Sequence, residues 1–108
     1  MAQTFKSAAT GSTTNLTTLY TCPVSTTGVV HAIYASNIDG VNDANISISV
    51  SGSANFNTRR YLLKTIEVPA DSTVIIEKPI NLGAWDKSET QASADGDIDV
   101  FASILEIT

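Results

Sequence analysis

The sequence has one cysteine and one histidine, and these two counts exclude several kinds of site. A single cysteine cannot form a disulfide within the chain, so the fold is not expected to depend on one. A structural zinc site takes its four ligands mainly from Cys and His side chains, and this chain offers one of each. Cys22 precedes Pro23 at the predicted end of a strand, and free cysteine is among the most buried residue types. We therefore expect a buried Cys22, no metal and no other cofactor.

Charge is also scarce, since Asp, Glu, Lys and Arg make up 16% of the chain and only six residues are basic. The net charge of −5 opposes contact with phosphates, and the one basic cluster, Arg59-Arg60, is too small to offset it. No apolar run approaches the roughly 20 residues of a membrane helix. Residues 1–6 lack the charged and apolar regions of a signal peptide. We expect no nucleic-acid partner, no membrane partner and no export by the usual route.

Helical periodicity is missing too, and turn residues recur about every ten positions with β-branched runs between them. That spacing is typical of a β-sandwich or barrel. The clearest strand is residues 45–51, in which apolar and serine side chains alternate with period two. The two faces of this strand are Ile46, Ile48 and Val50, predicted to be buried, and Ser47, Ser49 and Ser51, predicted to face solvent.

The remaining turn signals divide the chain into further short strands. They are predicted at residues 16–22, 29–37, 60–68, 73–77, 80–82, 89–94 and 98–107, with a loop at 53–57. Residues 1–14 are predicted to form an N-terminal arm or an edge strand, with strand character at residues 3–6. About eight strands without a helix predict an all-β fold, a single antiparallel β-sandwich domain of jelly-roll type spanning residues 1–108.

Four predicted strands contain two adjacent large apolar residues, which must point to opposite faces of a sheet. One member of each pair can enter the core, whereas the other must be covered by loops, by chain ends or by a partner. Four such pairs together favour a homo-oligomer. The candidate interface residues are Ile33 and Tyr34, Leu62 and Leu63, Ile75 and Ile76, and Ile104 and Leu105.

Two features have the appearance of chemical sites. His31 is the only histidine, predicted to share a strand face with Val29 and Ile33, and a catalytic role would require a nucleophile and an orienting acid beside it. A structural histidine, buried or half-exposed, is the better interpretation. The alternating acids Asp95, Asp97 and Asp99 suggest calcium, but the further oxygen ligands and the terminal Glu of a calcium loop are missing. We interpret that run as a hairpin turn followed by a solvated strand start.

Trp85, the only tryptophan, lies in the predicted turn of residues 83–86. An exposed aromatic side chain in a turn is unusual unless it binds something, so Trp85 is a candidate ligand contact. Together with Tyr20, Tyr34 and Tyr61 it would form a platform for stacking against sugars. The interpretation that we favour is that Trp85 caps one end of the sandwich core.

Six segments, taken in order, resemble short structural proteins of tailed bacteriophages, especially phages of aquatic bacteria. They are TLYTCP at 18–23, VVHAIYASN at 29–37, YLL at 61–63, VPADST at 68–73, INL at 80–82 and DVFASILEIT at 99–108. The likeness spans nearly the whole chain, and its motifs are turn and strand signals that specify architecture better than role. The chain departs from the pattern at residues 82–86, where Gly83 stands early and Trp85 replaces the expected glycine.

The resemblance implies a virion structural protein without catalytic residues, located in the virion and assembled in the host cytoplasm. The leading hypothesis is a protein that decorates or cements the capsid. Its expected partners are copies of itself, with a trimer as one candidate, and the major capsid protein or other virion proteins. The alternatives are a neck, tail or fibre component of the same particle, and a carbohydrate-binding module that recognises the host surface.

Overall fold

The computed structural model describes residues 3–52 and 59–108, and within these ranges the chain forms nine strands and no helix. The strands are β1 Gln3–Ser12, β2 Thr17–Thr21, β3 Thr27–Asn37, β4 Ala44–Ser51, β5 Arg60–Val68, β6 Thr73–Ile76, β7 Ile80–Leu82, β8 Lys87–Ala92 and β9 Ile98–Ile107. The described ranges therefore hold no helix that could cross a membrane. The loop predicted at residues 53–57 lies outside them.

The strands pair into two antiparallel sheets. The first sheet has the order β1-β9-β3-β6, and β7 pairs with β3 on the same side as β6. The second sheet has the order β2-β8-β4-β5. This arrangement confirms the predicted all-β, antiparallel sandwich of jelly-roll type. The N-terminal segment is an edge strand, because all ten residues of β1 pair in register with β9, from Gln3 opposite Ile107 to Ser12 opposite Ile98.

The core lies between the sheets and is built from period-two alternation. Ile46, Ile48 and Val50 of β4 point inward, as predicted from the sequence, and are 3% exposed or less. The largest fully buried side chains are Ile33, Ile46, Ile48, Leu82, Ile98, Ile104, Val30, Val68 and Val100. Burying a side chain of this size contributes about 1.5–3 kcal/mol. Cys22 is fully buried, as predicted, and its Sγ lies 3.2 Å from the carbonyl oxygen of Thr26.

Two local predictions about strand faces are wrong. The register between β3 and β9 shifts between Val30 and Ala32, which gives β3 an irregularity at His31. As a result His31 is exposed, whereas Ile33 is fully buried. Ser49 points away from the core but is only 1% exposed, because β4 is a central strand and Ser49 has a directly paired residue in the strand on each side.

Candidate interaction surface

Each of the four predicted apolar pairs has one member on the core side and one that points away from it. The core-side members, buried or packed against the core, are Ile33, Leu63, Ile76 and Ile104. The other members, half-buried or exposed, are Tyr34, Leu62, Ile75 and Leu105. Three of these outward residues belong to the first sheet, whereas Leu62 lies in β5 of the second sheet. The pairs therefore do not form one continuous patch, but three of them contribute to one face.

A row of apolar side chains crosses the outer face of the first sheet. Phe101 in β9 pairs with Ala9 in β1 on one side and with Tyr34 in β3 on the other. Tyr34 pairs in turn with Ile75 in β6. Residues directly opposite each other on antiparallel strands project from the same face, so these four side chains are neighbours. The rings of Tyr34 and Phe101 have centroids 6.2 Å apart, within the range of favourable aromatic pairs.

A second, shorter row extends the apolar surface towards the start of β1. Leu105 in β9 pairs with Phe5 on one side and Val29 on the other, and Phe5 is 79% exposed. We call the two rows together the apolar face: Phe5, Ala9, Val29, Tyr34, Ile75, Phe101 and Leu105. No member carries a charge. Four strands about 4.8 Å apart make this region of the sheet roughly 400 Å² in area, including the small residues Ser7, Ser103 and Ala32 that lie between the two rows.

A shallow groove of about 440 Å³ opens at one end of the apolar face. It is lined by Ala9, Thr10, Gly11, Tyr34, Ser36, Asp99, Val100 and Phe101. Gly11 and Ser36 leave room where larger side chains would project, and the Tyr34 and Phe101 rings form one wall. Asp99, which pairs with both Gly11 and Ser36, places a carboxylate at the edge of the groove.

A buried carboxylate links the two sheets at the opposite end of the sandwich. The Tyr20 hydroxyl in the second sheet donates a hydrogen bond of 2.6 Å to Oε2 of Glu106 in the first sheet. The Lys6 ammonium lies 3.0 Å from Oε1 of the same carboxylate. The hydrogen bond from Tyr20 lowers the pKa of Glu106, and burial together with that bond raises the pKa of Tyr20. Gly28 makes room for the tyrosine, because a Cβ there would lie 2.9 Å from its hydroxyl.

A second buried carboxylate, Glu89, lies on β8. It accepts a 2.6 Å hydrogen bond from Ser51, and its carboxylate oxygens lie 3.5 Å from Arg59 and 3.8 Å from Lys87. Among the acidic residues, only the run at residues 95–99 was considered from the sequence, and both Glu89 and Glu106 were missed. Alternation along the sequence could have indicated that Glu106 is buried, because it follows Ala102 and Ile104 on the inward face of β9.

Trp85 does not cap the core, contrary to the favoured interpretation. Its side chain is 57% exposed, and its backbone has a φ of 70°, a conformation that is strained for a bulky residue. The backbone N–H of Trp85 donates to the Cys22 carbonyl at 2.9 Å, and the Cys22 N–H donates to the Asp86 carbonyl at 2.8 Å. These hydrogen bonds hold the turn against the end of β2, and the indole therefore projects outward.

The tyrosines do not join Trp85 in a platform. Tyr20 turns inward to bond with Glu106, Tyr34 lies on the apolar face, and Tyr61 lies on the second sheet beneath the Lys64 ammonium, 5.0 Å from its ring centroid. These positions disfavour a sugar-binding platform of the kind considered from the sequence.

The run of acids at the start of β9 is solvated. Asp95 and Asp99 are exposed and Asp97 is half-exposed, and Asp95 accepts a 2.7 Å hydrogen bond from the Thr14 N–H. In the described part of the chain no group of three or more His, Cys, Asp or Glu side chains is arranged to hold a metal ion.

No protein-family model and no curated protein sequence matches the chain. Solved structures of similar fold do exist. A chain of the T13 viral particle of IBDV, the infectious bursal disease virus, has a TM-score of 0.59 and 8% identity, covering 96% of this chain and 30% of its own length. A chain from the acid-stable capsid of Helicobacter pylori bacteriophage KHP30 has a TM-score of 0.57 and 11% identity, covering 100% of this chain and 89% of that one. A chain of the disulfide-linked pili of Bacillus endospore appendages has a TM-score of 0.54 and 15% identity, covering 99% and 87%.

These likenesses show a shared fold. The chain spans less than a third of the viral-particle chain but most of the phage capsid chain and of the pilus chain. All three come from proteins that assemble into particles or filaments. The fold of this chain is thus one that viral capsid proteins also use.

Proposed function

We propose that the protein is a non-enzymatic structural component of a bacteriophage virion, where it decorates or cements the capsid through protein–protein contacts. The observation that carries this proposal is the apolar face, two uncharged rows on the strands of the first sheet with the small residues Ser7, Ser103 and Ala32 between them. Within one protomer nothing among the described residues covers Phe5, Tyr34 or Phe101, which are each more than a third exposed. Large side chains left in this state are suited to contact with another protein.

The partners that we propose are further copies of the chain and the major capsid protein. Each contact over a patch of roughly 400 Å² is small compared with the roughly 800 Å² per partner of a standard stable interface. A symmetric shell offsets this, because an oligomer that contacts several subunits at once binds with a high effective concentration. Weak individual contacts repeated around a shell would brace neighbouring capsid subunits against each other.

Two observations other than the apolar face support the proposed function. The fold occurs in a phage capsid chain and in a viral particle chain, and the sequence resembles short virion proteins of tailed phages over nearly its whole length. Neither distinguishes a capsid position from a neck, tail or fibre position. That distinction depends on copy number, because a protein that covers the shell must be present in hundreds of copies per particle.

Particles of the encoding virus that lack this chain test the proposal. We expect them to assemble, but to release DNA at a lower temperature and after milder osmotic shock than complete particles. Adding purified protein back should restore their stability. Particles of unchanged stability would contradict cementing, and particles that also failed to attach tails or adsorb to cells would support the neck, tail or fibre alternative.

A further inference from the structure

Two features lie at opposite ends of the molecule, one projecting and one recessed. One is the projecting indole of Trp85, and the other is the groove beside Gly11. The backbone of Trp85 is hydrogen-bonded to that of Cys22, which lies shortly before β3 begins at Thr27. Ser36, which lines the groove, is near the other end of β3. Nine residue steps of about 3.4 Å place these two ends roughly 30 Å apart. Trp85 therefore cannot reach the groove of its own chain.

The turn that carries Trp85 is well fixed. Besides the two hydrogen bonds with Cys22, the Gly83 N–H donates to Oδ2 of Asp86 at 3.0 Å, and the Asp86 N–H donates to the Gly83 carbonyl at 3.0 Å. Four hydrogen bonds thus hold a tryptophan in a strained backbone conformation while its side chain stays in solvent. A strained residue kept in place by its surroundings is often a functional one, and tryptophan is prominent among the residues that dominate interfaces.

The groove offers what an indole requires. Its volume of about 440 Å³ is within the range for ligand pockets, so it has more than enough room for an aromatic side chain. The Tyr34 and Phe101 rings provide aromatic edges and faces for packing. The Asp99 carboxylate at its edge provides an acceptor for the indole N–H, which is a donor only.

The charged residues also differ between the groove end and the Trp85 end. The loops of residues 38–43, 69–72 and 93–97 meet at the groove end, where the Ile38 N–H bonds to Asp97 and the Asp71 N–H bonds to Asp39. The acidic residues of these loops and of the groove are Asp39, Asp43, Asp71, Asp95, Asp97 and Asp99, and the loops contain no Lys or Arg. At the Trp85 end lie Arg59, Arg60 and Lys87, against the two buried acids Asp86 and Glu89. Arg59 and Lys87 both contact the Glu89 carboxylate, so this end is close to neutral. The acidic end of one copy would therefore meet an end of another copy that does not repel it.

We propose that Trp85 of one copy inserts into the groove of a second copy, so that the chains associate head to tail. Because the two contacting surfaces differ, the association is heterologous and produces a closed ring or an open array, depending on the rotation between neighbours. The inference deepens the proposed function by naming the occupant of one part of the apolar face. It is tested in solution, without particles, so its failure is distinguishable from a failure of particle binding.

The single tryptophan makes a direct measurement possible, because all indole fluorescence comes from Trp85. With increasing protein concentration the emission should shift to shorter wavelength and become less accessible to acrylamide, in parallel with a rise in sedimentation coefficient. Gly11→Leu should fill the groove of an otherwise unchanged fold, because a Cβ at Gly11 meets only Oδ1 of Asp99 at 3.8 Å. This variant retains Trp85 and should lose the shift.

Mixing two variants tests the head-to-tail geometry. Trp85→Gly, which suits the positive φ, keeps the groove but lacks the indole; Gly11→Leu keeps the indole but lacks the groove. Each variant alone should self-associate at least about tenfold more weakly than wild type, whereas the mixture should form one-to-one complexes that do not grow further. Tyr61→Ser, an exposed position on the second sheet outside the apolar face, the groove and the Trp85 turn, is the control and should associate like wild type. Absence of wild-type association at millimolar concentration, absence of complexes in the mixture, or an equal loss in Tyr61→Ser would each overturn the proposal.

Discussion

Tyr34 and Phe101 lie side by side on the outside of the first sheet, with ring centroids 6.2 Å apart and ring planes inclined by 33°. Neither ring enters the core, although the residues immediately before and after each of them in the same strand are fully buried. A cross-strand aromatic pair contributes about 0.5–1.5 kcal/mol beyond its buried area, so each ring restricts the other before any partner arrives. The apolar face is thus partly ordered within one protomer, which would reduce the entropy lost in the docking that we propose.

Ile48→Asp should unfold the protein, whereas Ser47→Asp should leave it folded. Ile48 is buried in the middle of β4, where an unpaired carboxylate costs several kcal/mol, comparable to the total stability of a small domain. Ser47 is half-exposed and accepts a 2.9 Å hydrogen bond from the Thr65 N–H, which a carboxylate can also accept. Urea unfolding followed by circular dichroism measures both. Similar midpoints for the two variants would mean that the face of β4 that carries Ile48 is not the buried one.

Ser49→Asp should also destabilise the protein, contrary to what alternation alone predicts. Ser49 is on the outward side of β4, yet it is buried directly opposite Glu89, itself a buried carboxylate. A second carboxylate there adds repulsion to desolvation. We expect a loss of about 2 kcal/mol or more in the free energy of unfolding, measured against Ser49→Ala. A Ser49→Asp variant as stable as Ser49→Ala would show that this site is open to water.

The pair in β5 should separate folding from surface effects. Leu63 packs against the core and lies opposite Ile48, so Leu63→Asp should unfold the protein. Leu62 is 37% exposed, so Leu62→Asp should remain folded, with a change in stability below about 1 kcal/mol. Thermal melts of both variants check this expectation. The reverse order of stability would mean that the two faces of β5 have been assigned the wrong way round.

The bond between Tyr20 and Glu106 predicts how stability depends on pH. The pKa of Glu106 is lowered in the folded state, so its contribution is present above its ordinary pKa of 4.5 and is lost as the pH falls through the lower folded value. The pKa of Tyr20 is raised above its ordinary 10.0, so its contribution is present below pH 10 and declines at more alkaline pH. Tyr20→Phe should lower stability at pH 7 by about 1.5–3 kcal/mol and reduce the acid dependence.

The control for this experiment is Tyr34→Phe, which removes a hydroxyl that lies on the other side of the sheet. Unfolding free energies for wild type and both variants are compared between pH 3 and 7. If Tyr20→Phe kept the acid dependence of wild type and the stability of Tyr34→Phe, the link between the sheets would have no energetic role.

Trp85→Gly should stabilise the isolated protomer. A left-handed backbone costs a residue with a Cβ about 1–2 kcal/mol, and glycine adopts it without that penalty, although glycine also gains entropy in the unfolded state. We expect a net gain of about 0.5–1 kcal/mol, measured at low protein concentration. Trp85→Ala retains the Cβ and should show no such gain. Equal effects of the two substitutions would contradict the strain at Trp85.

Most of the strands and the sandwich fold could be predicted from the sequence, because turn residues and period-two alternation depend on residues that are close together in the chain. The β4 pattern around Ile48 determined its buried face correctly. Alternation failed at His31, where a register shift that depends on the neighbouring strand changes which residues share a face. It also failed at Ser49, whose burial comes from neighbouring strands and not from its own pattern.

The candidate surface could be predicted only in part. Adjacent apolar residues such as Ile75 and Ile76 identified strands with an outward apolar side chain. The partners of those side chains across the sheet, such as Phe101 beside Tyr34, depend on pairing between strands more than 60 residues apart. For the same reason the buried link from Tyr20 to Glu106 was missed, since it joins residues of different sheets, 86 positions apart.

The most direct test of the apolar face as the docking surface is the affinity of the purified chain for particles that lack it, measured by co-sedimentation. A double variant, Tyr34→Ser with Phe101→Ser, removes the aromatic pair from the apolar face. Tyr61→Ser is the matched control, because Tyr61 is similarly exposed but lies on the second sheet. With all proteins folded, we expect wild type and Tyr61→Ser to bind alike and the double variant to bind at least about tenfold more weakly. Undiminished binding of the double variant would contradict the account.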